Sequence, residues 1–133
     1  MDFNPAKIRR IDRGEVMGKL SREKGKRGER ELVGKLREHG FADAHRSQQF
    51  SGKGESAADV IALPAIHIEC KRVERLNISD AMAQAKRDAK NGDKPAVFHR
   101  KNGEGWLVTM QMDDWIEIYR EFYSGTMLNE SEG

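Results

Sequence analysis

The sequence predicts an α/β domain, a mixed five-stranded sheet flanked by helices. Three observations carry this. Ile66-His67-Ile68-Glu69-Cys70-Lys71 alternates strictly between two sides, the period of a strand with one apolar face. Leu32, Val33 and Leu36 recur at helical spacing and mark an apolar stripe. Strand-like and helix-like stretches then follow in the order helix, three strands, helix, two strands, helix, which suits helices packed on a sheet.

The elements can be justified in turn. Residues 1–20 hold Pro5, Gly14 and Gly18 among charges with weak periodicity, and read as a flexible basic arm containing at most a short helical turn. Ser21, with Glu23 and Lys24 behind it, starts the first helix, which Gly40 closes after His39. Glu29 falls on the same stripe as the three aliphatics, at i, i+3, i+4 and i+7. A carboxylate on a buried face is costly unless paired or beside a cation. Helix geometry leaves two readings open: Glu29 serves a cation site, or it reaches solvent or pairs with Arg27 or Arg30.

Residues 41–47 read as the first strand, and 48–57 as a mobile polar loop with Lys53 at its tip. Residues 59–63 form the second strand. The turn Leu63-Pro64-Ala65 folds it back onto the alternating third strand. Residues 77–91 form the second helix, capped by Asn77 or Ser79, with Ile78, Met82, Ala85 and Ala89 on one face and Gly92 at its end. Residues 95–100 and 105–110 are two strands joined through Asn102-Gly103, a strong hairpin signal. Asp113 or Asp114 caps a short last helix whose Trp115, Ile118, Tyr119 and Phe122 are expected to face inward. The expected organisation is an arm over 1–20, one domain over 21–123, and a disordered polar tail over 124–133.

At 133 residues the chain has room for one core. Net charge is only +2, but residues 1–30 carry ten Lys or Arg against five acids, and residues 113–133 one Arg against six. A basic front half suits a polyanionic partner. The single cysteine, Cys70, excludes an internal disulfide framework. No apolar run reaches membrane-spanning length and no signal-peptide core is present, so an intracellular, cytoplasmic protein without membrane association is expected. The four histidines lack zinc-ligand spacing. Neither a phosphate-binding glycine loop nor a nucleophile elbow occurs.

One constellation carries chemistry. Asp59 precedes Glu69-Cys70-Lys71 by ten positions. Strand alternation puts Glu69 and Lys71 on one face, opposite the apolar residues, and the turn brings Asp59 back towards them. Two carboxylates and a lysine so placed can hold a hard cation and polarise a phosphate.

With Glu29 on a preceding helix, this pattern resembles the PD-(D/E)XK nuclease superfamily. Within it, the chain is most similar to the archaeal-type Holliday junction resolvases, also found in phages. The likeness begins at Lys24-Gly25-Lys26-Arg27-Gly28-Glu29-Arg30-Glu31-Leu32. It runs through His39-Gly40-Phe41, Arg46-Ser47, Asp59-Val60-Ile61-Ala62 and Ile68-Glu69-Cys70-Lys71, over about residues 22–110. The arm and the last helix lie outside the family core.

The resemblance implies a restriction-endonuclease-like fold and hydrolysis of DNA phosphodiesters at four-way junctions. It implies Mg²⁺, with Mn²⁺ able to substitute, on Asp59, Glu69 and the Cys70 carbonyl, with Glu29 close by. Lys71 is implied to orient water or stabilise transition-state charge, and Gln84 to help position water. Lys26, Arg27, Arg30, Arg46, Ser47 and Lys53 are the expected DNA contacts, and a homodimer on branched double-stranded DNA is the expected assembly. Two alternatives are a restriction-like, flap or fork nuclease of the same fold, and a DNA-binding module with a vestigial metal site. The intact acid set argues against the latter, because binding alone gains nothing from converging carboxylates.

Overall fold

The alternating stretch becomes β5 (Ile66–Arg72), the centre of a five-stranded sheet. The computed structural model describes residues 13–50, 53–54 and 57–132, and the side chains there except at positions 21, 49, 50, 53, 54 and 127–132. The sheet runs β1 (His45–Arg46), β4 (Val60–Ile61), β5, β6 (Lys94–Arg100), β7 (Leu107–Met110). Only the β5–β6 pair is parallel; the others are antiparallel. The parallel pair needs a crossover, and α2 (Ile78–Asp88) supplies it. A separate two-residue ladder, β2 (Gln49–Phe50) with β3 (Lys53–Gly54), lies in the segment expected to be a polar loop.

The two faces of β5 have different fates. Ile66, Ile68 and Cys70 pack with Val60, Ala96 and Phe98 against Leu32, Val33 and Leu36 of α1 (Arg13–Glu38). On the other side, Ala81 and Ala85 of α2 close over Val97. His67 and Glu69, on the face of β5 opposite Ile68, are both buried. The register Val60↔Ile68 places Asp59 level with Glu69 on the same face.

Several boundaries differ from the sequence reading. The helix expected from residue 21 begins at Arg13, so residues 13–20 of the expected arm are helical; residues 1–12 lie outside the described residues. No proline interrupts 13–38, and its five glycines cost only about 1 kcal/mol each in a helix. The first strand shrinks to His45–Arg46. Phe41 N donates to Leu36 O and Ala44 N to Phe41 O, so residues 41–44 complete the helix exit instead of pairing. Asn77 caps α2 by accepting from Asp80 N at 3.1 Å. The helix ends at Asp88, not 91, because Ala89 is already extended and Asn91 and Gly92 adopt positive φ.

The largest correction concerns α3 (Met112–Glu132). It continues through 124–132, where a disordered tail was expected; Thr126 Oγ1 donates back to Phe122 O at 3.0 Å across Gly125. Its aromatic stripe also faces outward. Trp115, Ile118, Tyr119, Phe122 and Tyr123 are exposed. Trp115 and Tyr119 stack at 5.4 Å between ring centroids, and Phe122 and Tyr123 flank Tyr119 at 6.1 and 6.3 Å. At about 100° per residue, Asp113, Glu117 and Glu121 lie opposite that stripe. An ion pair from Lys94 of β6 to Glu117, 2.5 Å long, turns this acidic side towards the domain and so the rings away from it. Among the described residues no helix is long and apolar enough to cross a membrane.

Candidate active site

The antiparallel register ends at Asp59. Its amide still donates to Ile68 O at 2.9 Å, and its carbonyl accepts from Ser47 N at 3.1 Å, so the backbone is held on both sides while the side chain turns towards β5. There Asp59 Oδ2 accepts from Cys70 N at 2.8 Å. The expected carboxylate pair is therefore assembled by strand pairing together with one backbone amide.

Burial among other carboxylates governs the pair. Desolvation, then the charge of Glu69, push Asp59 from an ordinary 3.8 up to about 7; the Cys70 amide and Lys71 pull the other way. Glu69 is also raised, first by burial, with the charges of Asp88 and Glu29 adding to it. Two neighbouring carboxyls that resist ionisation together are relieved by a cation between them. With oxygen donors from Asp59, Glu69 and the Cys70 carbonyl available on one edge, the residues fit a hard divalent ion. The Cys70 thiol is raised by burial, then by Asp59 and Glu29, and stays a neutral packing group.

Lys71 follows Glu69 on the same face of β5. Its Nζ donates to Gln84 Oε1 of α2 at 3.2 Å, so Gln84, off the apolar face of its helix, is directed to the site by the crossover. Glu29 projects from α1, where its Oε2 accepts from Arg46 Nε at 2.8 Å. Its partner is thus across the site on β1, neither Arg27 nor Arg30. Glu29 remains close enough to raise both Glu69 and Cys70 electrostatically.

Gly28 sets the depth of α1. A Cβ there would lie 2.4 Å from Arg72 Cβ, so the helix reaches β5 this closely because residue 28 has no side chain. Glu31, one turn on, accepts from Arg72 Nε at 3.4 Å and from Arg100 Nη1. This clamps α1 across β5 and β6 and fixes where Glu29 points.

From Asp59 a cleft of about 800 Å³ opens, lined by Lys26, Arg30, Arg37 and Arg46, with Glu29, His45, Ser47 and Gln48 among the other wall residues. Four fixed cations face two carboxylates in it, the balance expected of a surface for phosphates. The cleft gathers Lys26, Arg30, Arg46 and Ser47 from the expected DNA contacts. Arg27 is exposed and outside it. Lys53 lies on β3, with a side chain outside the described residues. Arg37 and His45 were missed by the sequence reading, although Lys26, Arg30, Gly34 and Arg37 share one helix face by spacing and could have been found by asking where basic residues repeat. Strand alternation already puts His67 on the face of Glu69 and Lys71, and its Nε2 lies 2.8 Å from Glu69 Oε1; Asp88, which approaches both, was missed. Burial holds His67 below its usual pKa, and so neutral near pH 7.

An acid level with the first residue of a Glu-x-Lys strand, approached by a helix glutamate and flanked by a basic cleft, is the arrangement around which PD-(D/E)XK nucleases are built. The family described as "Phage putative PDDEXK endonuclease" matches residues 20–130, and the chain belongs to that family. No curated protein and no solved structure matches the chain.

Proposed function

We propose that this chain is a divalent-cation-dependent endonuclease that resolves four-way DNA junctions by hydrolysing one phosphodiester per site, with Mg²⁺ as its ion and Mn²⁺ as a substitute. The observation that carries the reading is the Asp59–Glu69 carboxyl pair, with Lys71 following Glu69 on the same face of β5 and with Asp59 itself lining a cleft that holds four basic side chains.

The reaction forms a bond from water oxygen to phosphorus and breaks the bond to the leaving sugar oxygen. Asp59, Glu69 and the Cys70 carbonyl would hold the ion, which when bound supplies positive charge to the phosphate and acidifies water. Arg30, Arg37, Arg46 and Lys26 bind the backbone through phosphate oxygens, for which guanidinium forks are well shaped. Lys71 is held by Gln84 through one of its three N–H groups. Among the described residues the other two have no acceptor, and they can donate to a water or to the phosphoryl oxygen on which charge grows. Glu29, by accepting from Arg46, fixes that guanidinium at the cleft wall and adds negative charge that favours cation binding.

Among the described residues the cleft offers phosphate contacts and no set of stacked aromatics, which suits reading of backbone position and branch geometry rather than base identity. A symmetric junction needs two matched cuts, and one site per chain is most simply doubled by a two-fold dimer. The exposed aromatic face of α3 is the surface we assign to the second copy, since α2 spends its apolar residues on the sheet.

The deciding experiment compares cleavage of a mobile four-way junction, a fork and a plain duplex with Mg²⁺, in competition at near-physiological salt. Paired, symmetric cuts in the junction and a clear preference for it are expected. Equal binding and cutting of all three would replace junction resolution with a general or restriction-like activity.

A further inference from the structure

Glu69 faces a second group of ligand atoms on the side of β5 covered by α2. His67 Nε2 is 2.8 Å from Glu69 Oε1, and an Asp88 carboxylate oxygen completes a set of three ligand atoms that all lie within 4.8 Å of one another. His67 and Glu69 are 2 % and 1 % exposed. Two ligands bound about 2.1 Å from one ion stand roughly 3 Å apart when adjacent and roughly 4 Å when opposite. The 2.8 Å separation is thus an adjacent pair.

Asp88 is the second, independent sign. It is the last residue of α2, where the helix dipole disfavours negative charge. It is half-buried, and among the described residues none gives it a hydrogen bond or an ion pair. Its charge instead bears on Glu69, another carboxylate. Lys71, the basic group nearest in sequence to Glu69, is hydrogen-bonded to Gln84. Asp88 thus stands beside a second carboxylate at the negative end of a helix dipole, and a cation between the two side chains would give both a partner.

We propose that His67, Glu69 and Asp88 hold a second divalent cation, back to back with the Asp59–Glu69 seat and sharing Glu69 with it. One imidazole nitrogen and two carboxylates select an ion that accepts nitrogen, such as Mn²⁺ or Zn²⁺, over Mg²⁺ or Ca²⁺, which prefer oxygen alone. The buried imidazole offers its lone pair to the ion in place of the contact with Glu69. Such an ion anchors the Glu69 carboxylate from behind and joins the end of α2 to β5. The sharing of Glu69 rests on the nuclease reading of Asp59; the three-residue site does not.

The test is Mn²⁺ binding by the full chain without DNA, counting free ion by electron paramagnetic resonance and reading nitrogen coordination from spin-echo modulation. Two ions per wild-type chain are expected, with a nitrogen signal. Asp88→Asn and His67→Gln should each weaken one of the two by at least about 10-fold, and His67→Gln should remove the nitrogen signal. Asp59→Asn should lose the other ion and keep the nitrogen. Asp88→Asn, at a half-buried helix end, keeps the test readable if the buried His67 variant fails to fold. Wild-type counts in Asp88→Asn, with nitrogen modulation absent from the wild type, overturn the proposal. A single ion lost only in Asp59→Asn leaves the first seat standing and overturns the second. A single ion lost only in Asp88→Asn and His67→Gln supports this site and overturns the Asp59 seat. A chain that binds no ion overturns both.

Discussion

Gly28 of α1 sits against Arg72 of β5 so closely that a Cβ on the glycine would be 2.4 Å from Arg72 Cβ and 3.1 Å from its Cγ. The obstructing atoms are the root of the side chain, which cannot swing aside without moving β5. Gly28 therefore couples the position of the helix carrying Glu29 to the strand carrying Glu69 and Lys71. Gly28→Ala is expected to lower stability by about 1–3 kcal/mol, the usual cost of overpacking, although alanine is the better helix former. Gly25, with open space around it, is the control: Gly25→Ala should be neutral or stabilising. Denaturant midpoints of the two variants decide the matter, and equal effects would remove the close-packing argument.

If Asp59 and Glu69 hold the ion, Asp59→Asn and Glu69→Gln separate cutting from binding. Loss of a ligand carboxylate should reduce cleavage by more than the roughly 10–100-fold that outer-shell substitutions cost. Binding to junction DNA in the presence of Ca²⁺ or chelator should change little, because Lys26, Arg30, Arg37 and Arg46 still meet the phosphates. Near-normal turnover in either variant would detach the pair from catalysis.

How much of this was legible beforehand varies by residue. Strand alternation at 66–71 and the return of Asp59 towards Glu69 needed only local pattern and a turn, and both stand in the structure as the sequence implied. Glu29 was ambiguous because its outcome depends on Arg46, which is 17 residues away; helix spacing cannot see a partner delivered by another strand. Asp88 was invisible for a similar reason: it meets His67 and Glu69 only because the parallel crossover returns α2 across β5. The α3 stripe was assigned the wrong direction. Amphipathic spacing identifies an apolar face, but which surface covers it is a matter of tertiary or quaternary contact.

If Lys71 serves the reaction, Gln84 is expected to act through it. Gln84→Ala should leave junction binding unchanged and reduce the cleavage rate by about 10–100-fold, since Lys71 Nζ loses the acceptor 3.2 Å away that orients it. Gln84→Asn, which keeps the amide on a shorter stem, should recover part of the rate. Loss of binding, with the rate at saturation unchanged, would make Gln84 a DNA contact instead.

The raised carboxyl of Asp59 has a defined pH signature in metal-free protein. Its ordinary value is 3.8 and its folded value about 7, so between them the folded chain binds more protons than the unfolded one. Stability then falls as pH rises through this window and levels off above it. Glu69, raised for the same leading reason, adds to the slope. In chelator, wild-type melting temperature minus that of Asp59→Asn should decline from pH 5 to pH 7.5. Added divalent cation should reverse the trend, because metal binding requires the ionised carboxylates and strengthens with pH. A flat difference would mean that Asp59 titrates normally.

The aromatic side of α3 completes the dimer reading. Phe122 is 67 % exposed, Tyr123 52 %, Trp115 50 % and Tyr119 46 %, so the four rings present roughly 400 Å² of surface in a single stripe. A stable interface buries about 800 Å² per partner, with an apolar centre and a polar rim. Met112 and Ile118 extend the centre, and Asp113, Glu117 and Glu121 lie on its opposite side, where Glu117 is held by Lys94. Two copies can therefore bring these stripes together without apposing their acidic sides. Sedimentation at micromolar concentration should show a dimer, and Phe122→Asp should shift it to monomer with the fold intact. The monomer should still nick a junction but lose the pairing of its two cuts, because each site then acts alone. A wild-type monomer that makes paired cuts would place the second site elsewhere and leave the α3 face without this role.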